Sequence, residues 1–126
     1  MIVGIGVDTV DISRFERQLA RTPALRQRLF TREECELTIP SLAARFAARE
    51  ALIKALGGSG ELRWHDMAVT RGRDRAPMFV PSEALQRELV KKNADRVHLS
   101  LTHDVGVATA FVVIEAGTLN AEQGTA

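Results

Sequence analysis

The chain has 126 residues, one domain's worth, with 17 basic and 16 acidic side chains and a formal net charge of +1. So even a balance excludes a protein that holds nucleic acid or a membrane by overall charge; any charge signal must be local. Hydrophobic residues make up 45% and charged residues 26%, the proportions of a globular domain with a modest core.

The opening MIVGIGVD lacks a basic region and is too short for a signal sequence or membrane span, so a cytoplasmic location is expected. Its β-branched run, residues 2–7, predicts a buried strand ending at Asp8. Ser13-Arg-Phe-Glu16 has capping-box spacing and predicts a helix to about Ala20. Thr22-Pro23 predicts a second short helix to about Phe30. Thr31-Arg-Glu-Glu34 repeats the capping pattern and predicts a helix that Pro40 ends. That stretch holds Cys35, whose solitude excludes an internal disulfide and fits a reducing compartment. Ser41 should cap a longer helix running to about Leu56, with Gly57 as its stop. Residues 67–71 and 78–80 read as strands around a turn at 72–77, and Pro81-Ser82 introduces a helix to about Asn93. Residues 97–102 and 107–115 predict two strands joined by a hairpin turn at 103–106. These two should bury little by themselves, which leaves room for packing against another subunit. With no repeat and no βαβ rhythm, the class is α+β: one domain over residues 1–116, then a polar tail expected to fray over 117–126.

The residues able to carry chemistry concentrate in RFAAREALIKALGGSG, residues 45–60. At helical spacing Phe46, Leu52, Ile53 and Leu56 make an apolar face; Glu50 and Lys54 lie on one margin, Arg45 and Arg49 on the other. An ordinary amphipathic helix explains this pattern. A ligand site explains it too, since the run Gly57-Gly58-Ser59-Gly60 removes side chains where a phosphate or a ring could approach the backbone. Asp8, at the expected strand end, suits a helix cap or a metal ligand; if it converges with Glu50, the pair offers Mg²⁺ two hard oxygens. Gly4 and Gly6 thin the first strand, so that another backbone or a ligand can come close. His103 ends a strand beside a turn, where a surface role is equally open. Arg14, Arg17 and Arg21 form a basic stripe on the first helix, either a solvated face or a dock for an acidic partner. Nucleic acid is disfavoured, because aromatic residues are only 5% and tyrosine is absent.

In order along the chain, GIGVDTVDISRFER, LFTREE, RFAAREALIKALGGSG, HDMAVTRG and HLSLTHDVGVATAFVVIE resemble the sequence blocks of holo-[acyl-carrier-protein] synthases, the small stand-alone 4′-phosphopantetheinyl transferases. The resemblance runs from about residue 2 to 115. It implies a small, mostly antiparallel sheet packed with helices, assembled as a homotrimer with active sites between subunits. It implies transfer of phosphopantetheine from coenzyme A, the co-substrate, to a serine of apo acyl carrier protein, with release of adenosine 3′,5′-bisphosphate. Carried over by position, Asp8 and Glu50 would bind Mg²⁺ and, with Lys54, act in catalysis, Glu50 or a metal-bound water taking the serine proton. Arg45, Arg49, Lys54, Gly57, Gly58, Ser59, Gly60, Thr102 and His103 would contact coenzyme A. Arg14, Arg17 and Arg21 would meet the acidic helix of the carrier. The chain departs from the resembled pattern at Arg49, where a lysine is usual, and at Val10, where larger relatives carry a second acid. Another coenzyme A-dependent transferase, or a non-catalytic module that binds acidic helices, are the alternative readings.

Overall fold

The computed structural model describes residues 1–117. In chain order it runs β1 (Ile2–Asp11), α1 (Ile12–Arg21), α2 (Ala24–Leu29), α3 (Ile39–Leu56), β2 (Val69–Arg71), β3 (Pro77–Phe79), α4 (Glu83–Lys91), β4 (Arg96–Asp104) and β5 (Val107–Glu115). Single 3₁₀ turns at Glu34–Glu36, Trp64–Met67 and Arg73–Arg75 join some of these elements. β1, β5 and β4 form one antiparallel sheet with β5 central; β2 and β3 form a separate hairpin. The expected α+β class is correct. Among the described residues, no helix is long and apolar enough to cross a membrane. Apart from Gly117, whose amide donates to Asp95 Oδ1 at 2.7 Å, the expected tail lies outside the described residues.

α3 is the spine, and it is buried almost all round rather than amphipathic. Ala43, Ala47, Ala48, Ala51 and Leu52 are inaccessible to solvent. Alanines on the helix and Gly4 and Gly6 on β1 let the two backbones touch. A Cβ at Gly4 would collide with the Ala55 carbonyl oxygen, and one at Gly6 with that of Ala51. The close approach expected of these glycines is therefore by α3 itself. Gly6→Ala is expected to cost about 1–3 kcal/mol of stability, read from urea denaturation, because main chain cannot yield as a side chain would.

Several boundaries differ from expectation. β1 does not end at Asp8 and is not buried: it continues to Asp11, and Ile2, Ile5 and Val7 are exposed. Only one face of the sheet packs on α3, so β1 turns its alternate residues away. The cap of α1 is Asp11, whose Oδ1 accepts from the Arg14 amide at 2.8 Å, and Ser13 lies inside the helix. The Thr31/Glu34 capping contacts do form, with the Thr31 amide donating to Glu34 Oε1 at 3.0 Å. They nucleate only a single turn, however, since residues 37 and 38 return to extended backbone. Pro40 opens α3 instead of closing a helix, because a first-turn proline lacks an N–H that would have no partner there; Thr38, not Ser41, is the cap residue. Gly57 does end α3, with φ of 80°. Ser82 caps α4 by accepting from the Leu85 amide.

β5 is the best-covered strand rather than a poorly covered one. Ala108, Ala110, Val112 and Ile114 all show 0% exposure against α3. β4 and β5 are joined by a two-residue turn, Val105-Gly106, with both φ values positive (51° and 76°), leaving His103 and Asp104 within the strand.

Candidate active site

Asp8 lies two residues beyond Gly6 on β1, hence on the same α3-facing side. Lys54 Nζ donates to Asp8 Oδ1 at 2.8 Å and to the Val7 carbonyl at 3.0 Å. Glu50 stands one helical turn before Lys54 and is half-buried. Burial, and then the negative charge of Asp8, push the Glu50 carboxyl above the usual carboxylate range, against a smaller opposing effect of Lys54. The hydrogen bond to Asp8, and then its charge, raise the Lys54 ammonium above the ordinary lysine value. The structure thus brings Asp8, Glu50 and Lys54 together. Among the described residues no three His, Cys, Asp or Glu side chains cluster to hold a metal, so any cation here would rest on two carboxylates.

Of the three, Glu50 lines a cleft of about 870 Å³, together with Ile53 of α3, Gln27 and Arg28 of α2, Ser59, Leu62 and Arg63 after α3, and the Trp64–Met67 turn. Ser59 brings the glycine run into its wall. The Gly58 amide donates to the Ile53 carbonyl and that of Gly57 to the Lys54 carbonyl, closing α3 in a Schellman pattern. Beside Gly58 the space that a side chain would fill is open.

Arg45, Thr102 and His103 lie elsewhere, around a pocket of about 270 Å³ that Ser41 and Arg71 complete. Arg45 is 6% exposed, and its Nε is buried without a hydrogen-bond partner. Burial depresses its pKa; Glu34 opposes that, and Arg71 and Arg49 reinforce it. A single chain therefore carries the expected ligand residues as two separate groups, one acidic with a lysine and one basic.

Arg49 belongs to neither group, which corrects its expected place among the phosphate ligands. Its side chain is wholly enclosed, with Nη2 and Nη1 donating to Glu34 Oε1 and Oε2 at 2.6 and 3.1 Å and Nε donating to the Trp64 carbonyl at 3.0 Å. The guanidinium also lies over the Phe30 ring, 5.0 Å from its centroid. Glu34, buried at 3% exposure, further accepts from the Val69 and Thr31 amides. Sequence reasoning missed this pair: capping-box spacing flagged Glu34 as local, and nothing links it to a residue 15 positions on. Arg71 was missed as well. Arg14, Arg17 and Arg21 are exposed on α1, whose Phe15 and Leu19 face the core.

Residues 4–110 match the 4′-phosphopantetheinyl transferase superfamily. The chain is 56% identical to the holo-[acyl-carrier-protein] synthase of Leifsonia xyli subsp. xyli, over 91% of this chain and 98% of that one. It is 54% identical to that of Clavibacter sepedonicus, over 91% and 97%. Among solved structures, the holo-[acyl-carrier-protein] synthase of Neisseria meningitidis superposes with a TM-score of 0.81 at 32% identity, covering 91% of this chain and 99% of that one. The Helicobacter pylori synthase, solved in complex with coenzyme A, gives 0.77 at 31% identity, covering 88% and 99%. The chain belongs to the holo-[acyl-carrier-protein] synthase family of 4′-phosphopantetheinyl transferases.

Proposed function

We propose that the chain transfers the 4′-phosphopantetheine arm of coenzyme A to a serine of an apo acyl carrier protein in a Mg²⁺-dependent reaction. Adenosine 3′,5′-bisphosphate leaves. The observation that carries this reading is the Asp8–Glu50–Lys54 group, whose Glu50 lines the 870 Å³ cleft. Its donors fit a hard divalent cation: Asp8 already accepts an ammonium, and Glu50 is held back from ionising by burial and then by the Asp8 charge, both of which a cation would offset. Mg²⁺ bound there would neutralise charge on the pyrophosphate oxygens. Lys54 adds a second positive charge beside the phosphates, and Glu50 would accept the proton of the attacking serine hydroxyl. The hydroxyl oxygen bonds to the phosphorus bearing pantetheine, and the pyrophosphate linkage to the nucleotide breaks. Gly57, Gly58, Ser59 and Gly60 leave room for coenzyme A, and Arg45, Thr102 and His103 supply phosphate contacts.

Two features support a homotrimer with sites between subunits. One is the separation of the basic pocket from the carboxylates within one chain. The other is the outer face of the sheet, where Ile5, Val7 and Phe111 are 56%, 49% and 45% exposed side by side. Phe111→Asp is expected to yield monomers by sedimentation and to abolish transfer; a trimer that persists with full activity would refute that assignment. On α1, Arg14, Arg17 and Arg21 are placed to steer an acidic carrier helix. A cytoplasmic location accords with the free Cys35 thiol.

The deciding experiment mixes the chain with apo carrier, coenzyme A and Mg²⁺ and weighs the carrier. A gain of one phosphopantetheine, lost in EDTA, is expected. An unchanged carrier would favour a non-catalytic binder of acidic helices, and full activity in EDTA a metal-independent transferase.

A further inference from the structure

We propose that Glu88 of α4 is a positioning residue for coenzyme A: it fixes the loop after α3, whose Ser59 and Leu62 line the cleft, without touching the reacting atoms. The proposal rests on the transferase reading above. Glu88 is 7% exposed, unusual for a carboxylate on a solvent-facing helix, and its carboxylate is turned into the loop after α3. One oxygen accepts from the Glu61 amide at 3.3 Å and from Lys91 Nζ at 2.8 Å. The same carboxylate fills the space that a side chain at residue 60 would need, and Gly60 adopts φ of 55° beside it. Lys91 also lies 3.9 Å from the Glu61 carboxylate, which Arg87 approaches to 3.6 Å.

α4 therefore grips the loop at residues 60 and 61, directly between Ser59 and Leu62, two residues that line the cleft. Backbone hydrogen bonds from Gly57 and Gly58 to the end of α3, and from Leu62 to Ser59, hold the start and turn of this loop, and Glu88 adds the side-chain contact at residues 60 and 61. A buried carboxylate that spends its oxygens on one loop amide and one lysine makes the loop's shape depend on its charge. Pre-ordering the loop lowers the cost of seating the nucleotide, an effect on ground-state binding that leaves the chemical step at Asp8, Glu50 and Lys54 alone.

The test compares wild type, Glu88→Ala and Glu88→Gln in the carrier mass assay, with coenzyme A affinity read by calorimetry. Glu88→Ala is expected to raise both the KM and the Kd for coenzyme A roughly tenfold while kcat stays within about twofold. Glu88→Gln, which keeps an acceptor for the Glu61 amide but loses the charge that holds Lys91, should recover only part of that loss and keep a raised KM. A merely structural role would lower the melting temperature yet leave KM unchanged at temperatures where the variants are folded; that result, or an equal loss in kcat, overturns the proposal. If Glu88→Ala does not fold, a Glu88→Gln variant with wild-type KM at low and high salt overturns it as well. Failure of wild type to modify the carrier would instead count against the transferase reading, and calorimetry would still report on the loop.

Discussion

Glu34→Ala should lower the unfolding free energy by about 3–5 kcal/mol, read from urea denaturation at pH 7. The variant removes the carboxylate that, alone among the described residues, pairs with Arg49, whose guanidinium is fully enclosed between α3, the Trp64 carbonyl and the Phe30 ring. What remains is a buried charge with no counterion, and the Val69 amide also loses its acceptor. Replacing both partners by apolar residues of similar volume, Glu34→Met with Arg49→Leu, should recover only part of the loss, because buried Arg45, 4.0 Å from Glu34, and the Val69 amide still lose their partner. The pH dependence has a definite sign. Burial disfavours ionisation of Glu34, yet the hydrogen bond to Arg49 and its charge, with the Val69 and Thr31 amides, hold its pKa below the ordinary value. A carboxyl depressed in the folded state contributes stability above its unfolded pKa of about 4.3. That contribution disappears as pH falls through the folded value, so wild type and Glu34→Ala should converge in acid. A loss under about 1 kcal/mol at pH 7 would mean that the pair is solvated and does not hold the core.

The pair also explains which parts of the molecule were legible beforehand. Element types could be read where one local rule decides: Gly57 stops α3, Ser82 caps α4, and the alternation of residues 107–115 is a strand. Asp8, Glu50 and Lys54 were singled out from the chemistry of their side chains and from resemblance, and they do come together. What could not be read depends on pairing across the chain. Arg49 looks like a margin residue until Glu34, 15 positions earlier, is known to face it. β1 looks buried because Ile2, Val3, Ile5 and Val7 are apolar, but the sheet has one covered face, and Gly4 and Gly6 mark that side. The last two strands read as burying little by themselves, whereas Ala108 and Ala110 of β5 are buried because an alanine-rich α3 lies close enough to cover them. Pro40 was misplaced because a proline both ends and begins helices, and only the extended backbone at residues 37 and 38 decides between them.

Glu50→Gln should lower the rate of carrier modification by about 10²–10⁴-fold, since it removes a proton acceptor together with a donor to the proposed cation while keeping the side chain's shape. The same substitution should stabilise the fold at neutral pH. Burial and the Asp8 charge raise the Glu50 pKa in the folded chain. A carboxyl raised by folding binds more protons folded than unfolded, so stability falls as pH rises from its unfolded value through its folded one. Above that window the ionised Glu50 costs stability, and a neutral glutamine relieves the cost. Wild type should therefore lose activity on the acid side as Glu50 becomes protonated, while its stability against unfolding at this residue improves. Adding Mg²⁺ should raise the melting temperature of wild type and leave that of Glu50→Gln nearly unchanged, because a ligand stabilises only a state that binds it. Asp8→Asn should share the loss of activity and of the Mg²⁺ response. It should also lower the Lys54 pKa, which the Asp8 hydrogen bond holds up. A Glu50→Gln enzyme that is less stable at pH 7 and keeps its Mg²⁺ shift would refute the two-carboxylate site, because the strain attributed to Asp8 and Glu50 would then be absent.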